Sequence, residues 1–157
     1  MAIRYWLVVA PLDRVRRLRA AGVVEMTFGG RDGLEDFSEA DGIVFYSPRY
    51  ESPEGERLRA FTAIGRISDG RMFLADQSEG SRSWRRRVDF MDDTVFQSVR
   101  PLVGLLEFTR DRRTWGQQLR RGILEISRLD FETIRDGMRL PSADERPPRS
   151  LTDRVWY

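Results

Sequence analysis

Apolar and polar positions fall into short segments with recognisable periods. Ile3 to Ala10 (IRYWLVVA) is β-branched and aromatic and predicts a buried strand. Pro11 suits the first turn of a helix. In the LDRVRRLRAAG that follows, Leu12, Val15 and Leu18 share one face and Gly22 is a stop signal. Val23 to Phe28 reads as a short extended piece, and Gly29-Gly30 as a turn. IVFYSP (Ile43 to Pro48) predicts a second strand. Leu58 to Ser68 predicts a long one, in which Gly65 marks a bulge or a close backbone approach. Asp69-Gly70 predicts a hairpin, with Arg71 to Asp76 as the return strand. WRRRVDFM alternates, with Trp84, Val88 and Phe90 on one side and Arg85, Arg87 and Asp89 on the other. PLVGLLEF (101–108) predicts a short apolar turn or helix, and 109–122 an Arg-rich polar loop. Ile123 to Ser127 reads as strand, and a last helix runs to about Met138 with Asp130 as its N-cap. Strands with short helices packed outside predict an α+β fold built on a partly closed, mixed β-barrel.

The 157 residues suit one domain. Residues 1–139 are expected to form it, and 140–157 an extended Pro/Arg-rich tail. The tail ends in Val155-Trp156-Tyr157, apolar enough to dock on the domain or on a neighbouring chain, so a homo-oligomer held by the tail is one expected state. No apolar run approaches the ~20 residues a membrane span needs. MAIRYWLVVAP reads as a strand and not as a secretory signal. The expectation is a cytoplasmic protein with no membrane partner.

Composition narrows the chemistry. The chain has no His and no Cys, and also no Lys and no Asn. Borderline metals such as zinc lose their preferred ligands. Ser-His and Cys-His nucleophiles are excluded, and so is Schiff-base chemistry. Carboxylate acid-base work, a divalent ion on carboxylates, Tyr and Arg remain. No cofactor is called for, and the expected protein is a binding module without catalytic residues. Every basic side chain is Arg, whose planar fork suits phosphate and stacks on rings. The net charge of +2 is small, so any anion site must be local.

Three constellations stand out. Trp84 adjoins Arg85, Arg86 and Arg87, and Trp115 lies between Arg110/Arg112/Arg113 and Arg120/Arg121. Aromatic rings interleaved with arginines suit stacked bases and phosphates. The competing reading is that Trp84 is core and the arginines a solvated face. Trp6, Tyr46 and Ser47 could line one pocket if their strands are neighbours, although a Trp in an opening strand is more often core. Glu35, Asp36, Glu39 and Asp41, with Asp92-Asp93, lack the spacing of a Mg²⁺ or Ca²⁺ site and suit capping better. The Gly29-Gly30-Arg31-Asp32-Gly33 turn is neither a P-loop nor a dinucleotide fingerprint, and could form a backbone anion nest.

YWLVVA (5–10), GIVFYSP (42–48), RAFTAIGRI (59–67), SWRRRVDF (83–90) and FTRDRRTWGQQLRRGILEIS (108–127) together resemble the EVE domain of bacterial proteins, over about residues 3–138. The resemblance implies a PUA-like β-barrel related to the YTH domain, which holds a methylated adenine in an aromatic cage. By that analogy the chain would recognise a modified or flipped base in DNA or RNA. The implied pocket draws on Trp6, Ala10, Pro11, Phe28, Tyr46, Ser47, Trp84 and Trp115. The flanking phosphates fall to Arg31, Arg85, Arg112, Arg113 and Arg120. Where members often carry Ser after the first strand, a His-Gly-Lys turn, and Gln before AFTAIGR, this chain has Pro11, Phe28-Gly29-Gly30 and Arg59. The alternatives are a protein-interaction or oligomerisation module, and a carboxylate/divalent-ion enzyme acting on nucleotides.

Overall fold

The computed structural model describes residues 2–26, 30–76, 80–110 and 115–140. Its strands are β1 (Tyr5–Val9), β2 (Val23–Val24), β3 (Gly42–Arg49), β4 (Arg57–Ile67), β5 (Phe73–Asp76), β6 (Arg82–Phe90), β7 (Gln97–Ser98) and β8 (Ile123–Ile126). The helices are α1 (Leu12–Ala21), α2 (Trp115–Gln118) and α3 (Arg128–Met138). The strands make one curled half-barrel sheet in the order β2-β6-β4-β3-β1-β8, with β5 added to β6 and β7 to β4. β1 and β3 are parallel, and the segment between them supplies the crossover such a pair requires. The other strand pairs are antiparallel. The fold is α+β and PUA-like, as the sequence implied.

Strand alternation divides the core between the two faces of the sheet. Trp6, Val8, Ile43, Phe45, Ala63 and Val88 face one side, where Val15 and Leu18 of α1 cover them. Leu7, Val44, Tyr46, Phe61 and Ile64 face the other, under Phe131, Ile134 and Met138 of α3. α1 forms where its apolar spacing predicts, and Gly22 ends it at φ 68° with its N–H on the Arg19 and Leu18 carbonyls. Among the described residues no helix is long and apolar enough to cross a membrane.

Two local readings need correction. The chain does not turn back at Asp69-Gly70. β4 pairs antiparallel with residues 88–90 of β6, and β5 pairs antiparallel with residues 82–85 of the same strand, so β4 and β5 do not pair with each other. The reason is the Asp69 carboxylate, which accepts from Arg86 Nε at 2.7 Å and from the Arg87 backbone N–H at 2.8 Å and so docks β6 beside β4. The N-cap of α3 is Ser127, whose side chain accepts from the Asp130 N–H at 3.1 Å. The Asp130 carboxylate, buried, caps the Glu107 and Phe108 N–H groups instead. The expected loop at 109–122 holds α2 and a following 3₁₀ turn, Leu119–Arg121. The expected tail, from residue 141 onward, lies outside the described residues.

Gly65 is a close approach, as its place in β4 suggested. A Cβ there would stand 2.4 Å from the Asp89 carbonyl oxygen and 2.9 Å from Phe90 Cα. Both are backbone atoms of β6, so relief requires the two strands to part. Gly65→Ala is expected to cost about 1–3 kcal/mol, read as a lower urea midpoint at unchanged slope.

Candidate functional site

The structure separates the sequence-selected residues into two groups. The β1–β3 pairing sets Trp6 beside Ile43 and Tyr46 beside Val9. Successive strand residues face opposite sides, so Trp6 and Tyr46 lie on opposite faces of the sheet and do not share a pocket.

Trp6 is buried, and its indole N–H donates to Asp41 Oδ2 at 3.0 Å. Phe37 meets its ring edge-on, and the Arg4 guanidinium lies 4.5 Å over it. Arg4 is itself held by both oxygens of Glu125, at 2.7 and 3.1 Å, and that bond keeps the Glu125 carboxyl below its usual pKa. A cleft of about 340 Å³ opens beside this group, between Arg4, Asp36, Gln118 and Arg121, but a base could reach the Trp6 face only by displacing Arg4. Ala10 is buried, and Pro11 is half-buried at the start of α1. Ser47 is buried, and its hydroxyl is engaged by Thr62 at 2.8 Å. Trp84 is half-buried and packs against the same core, with the Arg31 guanidinium 5.0 Å over its ring. Arg31 also pairs with Glu35 at 3.4 Å. Arg85 is engaged by Glu25 at 3.1 Å and by the Ser83 hydroxyl at 3.2 Å. Phe28, Arg112 and Arg113 lie outside the described residues.

The second group surrounds a cleft of about 930 Å³, at the upper end of the range for small-molecule sites. Arg57, Arg59, Arg100 and Arg120 line it, with Ser98, Gln117 and Trp115. Among the described residues no carboxylate lines it, and none of the four arginines has an ion pair. Three chain segments bring them together. β4 supplies Arg57 and Arg59. β7 pairs with β4 through Ala60↔Ser98 and delivers Arg100. The turn after α2 supplies Arg120. The Val99 N–H donates to the Arg59 carbonyl at 3.0 Å, which locks the β7 segment to the cleft wall. Arg59 adopts φ 52°, a left-handed conformation that costs a non-glycine residue about 1–3 kcal/mol. It falls where the β3–β4 register shifts between Ser47 and Arg49.

An apolar alcove of about 280 Å³ shares a wall with this cleft. Val9, Tyr46, Pro48, Trp115, Gly116, Leu119 and Arg120 line it, so Trp115, Gly116 and Arg120 belong to both spaces. Trp115 meets Tyr46 edge to face, with centroids 6.3 Å apart at 73°. The Tyr46 hydroxyl has no partner among the described residues, yet no buried side-chain nitrogen or oxygen there lacks one. The hydroxyl therefore reaches solvent at the alcove. Burial pushes its pKa up, against a weaker opposing pull from Arg59, so it stays protonated at neutral pH and can donate.

The sequence singled out Tyr46, Trp115 and Arg120 of this set. It missed Arg57 and Arg100, and marked Arg59 only as a departure from the family pattern. No local signal marks them, because long-range strand pairing makes the cluster. The acidic runs have dispersed roles: Asp41 holds Trp6, Glu35 holds Arg31, and no group of three acids that could hold a metal occurs among the described residues.

Residues 4–137 match the family model described as the EVE domain. The chain is 40% identical to a UPF0310 protein of Renibacterium salmoninarum over 134 residues, 85% of this chain and 94% of that one. It is 31% identical to the UPF0310 protein YdcG of Bacillus subtilis, over 88% of this chain and 94% of that one. Two solved structures share the fold, each with a TM-score of 0.52. One is an Agrobacterium tumefaciens protein, 16% identical, covering 88% of this chain and 99% of that one. The other is the YTH domain of a Zygosaccharomyces rouxii protein in complex with N6-methyladenosine RNA, 13% identical, covering 91% and 94%. At these identities the likeness is one of fold alone.

Proposed function

The chain belongs to the EVE domain family, and from that premise we propose that it is a non-catalytic cytoplasmic module that binds nucleic acid and reads one base, modified or flipped out of its stack. The carrying observation is the cleft of four arginines with no carboxylate in its lining among the described residues, joined to an aromatic alcove. Arg57, Arg59, Arg100 and Arg120 hold phosphate. The base enters the alcove against Trp115, where an apolar wall accepts a ring or a methyl group and the Tyr46 hydroxyl reads a polar edge. The fold shared with an RNA-bound YTH domain supports the class of ligand. Trp6, Ala10 and Ser47 support the strands behind the alcove. Trp84 with Arg31 gives a second aromatic-basic surface, which a strand could reach on leaving the cleft, whereas Arg85 projects from the opposite side of β6.

Fluorescence anisotropy with a labelled single-stranded oligonucleotide, across a salt series, tests the proposal. If all four cleft arginines release counterions, log K should fall against log salt with a slope of about −3. Each Arg→Gln change in the cleft should remove about 0.7 of that slope. Repeating the titration with methylated and unmodified bases reports on the alcove. Absence of binding at low salt sinks the proposal. So does a variant lacking all four arginines that binds like the parent while its melting temperature is unchanged.

A further inference from the structure

The cleft and its alcove are mismatched in a way that points to a particular ligand. The alcove of about 280 Å³ has room for one base, whereas four guanidiniums face the adjoining cleft. An internal nucleotide of a strand brings a single phosphate charge with each base. Such a ligand would meet all four cations only through the phosphates of several successive nucleotides. A phosphate monoester contributes about −1.5 to −2 and presents three acceptor oxygens, and Arg meets such oxygens with a planar, bidentate fork. Clustered phosphates on one nucleotide supply the charge density that an internal backbone position lacks.

The geometry connects the two spaces. Trp115 and Arg120 line both, and Gly116 between them has no neighbour among the described residues within 4 Å of the position a Cβ would take. A base lying on Trp115 thus has its sugar and attached phosphates next to the arginine cluster. Arg59 stands in that cluster on a left-handed backbone, the conformation a glycine would hold without strain. The fold keeps a guanidinium there instead.

We infer that the Arg57, Arg59, Arg100 and Arg120 cleft takes a cluster of phosphates on a single nucleotide, the chemistry shared by a 5′-triphosphorylated strand end and a free nucleoside triphosphate. This rests on the nucleic-acid reading above and specifies which part of the ligand the cleft holds. The base in the alcove is then the first of the chain, and the rest of a strand leaves past Gln117 and Ser98.

The probes are a short RNA with a 5′-triphosphate, the same RNA with a 5′-hydroxyl, and GTP beside GMP, each titrated into the full chain. The triphosphorylated RNA should bind about tenfold or more tightly than the hydroxyl form. GTP binding as tightly as that RNA, and far above GMP, equally supports the phosphate cluster and assigns its source to the free nucleotide. Arg59→Gln with Arg100→Gln should bring the two RNAs within about twofold of each other, with melting unchanged because both side chains are exposed. Equal binding of the two RNAs by the parent protein overturns the inference and leaves the nucleic-acid reading standing. Failure of every probe to bind removes both. A preference for the triphosphate that survives the double substitution removes the phosphates from this cleft.

Discussion

Arg86→Ala is expected to destabilise the fold by about 3–5 kcal/mol, the range for removing one partner of a buried charge pair. Arg86 is 3% exposed inside the sheet. Its Nε meets Asp69 Oδ1 at 2.7 Å, one terminal nitrogen meets the Asp69 carbonyl at 3.0 Å, and the other donates to the Leu34 and Phe37 carbonyls. Those two carbonyls belong to the segment that leads into β3, and no other described group reaches them from β6. Truncation would strip the Phe37 carbonyl and Asp69 Oδ1 of their Arg86 donors, leaving the Leu34 carbonyl only the Phe37 N–H and Asp69 only the Arg87 N–H, and each buried group left unpaired costs about 1–3 kcal/mol. For a chain of this size, each kcal/mol lowers the melting temperature by roughly 2–4 °C, so a fall of about 6–20 °C is expected. Arg86→Lys should recover little, because an ammonium cannot span the same fork of acceptors. The neighbours provide the contrast. Arg87 is exposed and covers Phe73 at 4.6 Å, so Arg87→Ala should cost about 0.5–1 kcal/mol. Thermal melts of Arg86→Ala and Arg87→Ala side by side check this, and equal losses would show that Arg86 does not bind the two halves of the sheet together.

These consecutive arginines also show what could be read from the sequence. As a run after Trp84 they look like a comb for phosphates. Period-two alternation, applied to every residue of WRRRVDF, turns Arg86 to the same side as Trp84, Val88 and Phe90, and there it is buried. The pattern was therefore in the sequence, but it identified a structural residue where composition suggested a ligand-binding one. Strand positions, α1 with its Gly22 stop and the tight contact at Gly65 follow from local sterics and apolar spacing, and they were legible. The Asp69-Gly70 turn was not, because a buried ion pair with β6 overrides local turn preference. The cleft was illegible for a related reason. Arg57, Arg59 and Arg100 become neighbours through the two-residue pairing of β7 with β4, far too short to leave a periodic signal. Long-range register also decides which aromatic residues meet. Tyr46 finds Trp115 across about seventy positions, while Trp6, three residues from Val9 in β1, is sent to the opposite face.

Asp41→Ala should cost about 3–5 kcal/mol while leaving the ligand-binding surfaces chemically intact. The residue is 1% exposed. Its Oδ1 accepts from the Arg4 N–H at 3.0 Å, and its Oδ2 accepts from Trp6 Nε1 at 3.0 Å and from the Ser38 N–H at 2.9 Å. Its own backbone bonds Ile67 and Ser38, which closes the approach to β3. Alanine removes both acceptor oxygens and leaves three donors without partners. Asparagine keeps one acceptor but turns an amide N–H toward donors, so its loss should be intermediate. This arrangement makes Trp6 a beam between β1 and the segment before β3. Trp6→Phe keeps most of the apolar contact and vacates one donor, with an expected cost of about 1 kcal/mol. It should move oligonucleotide affinity by less than about twofold. Trp115→Ala, by contrast, should weaken binding by about 1–3 kcal/mol if a base stacks on that ring. Measuring stability and affinity for Asp41→Ala, Trp6→Phe and Trp115→Ala separates the two kinds of tryptophan. If Trp6→Phe abolished binding in a protein that still melted near the parent temperature, the base pocket would have to move to the Arg4 side of the sheet.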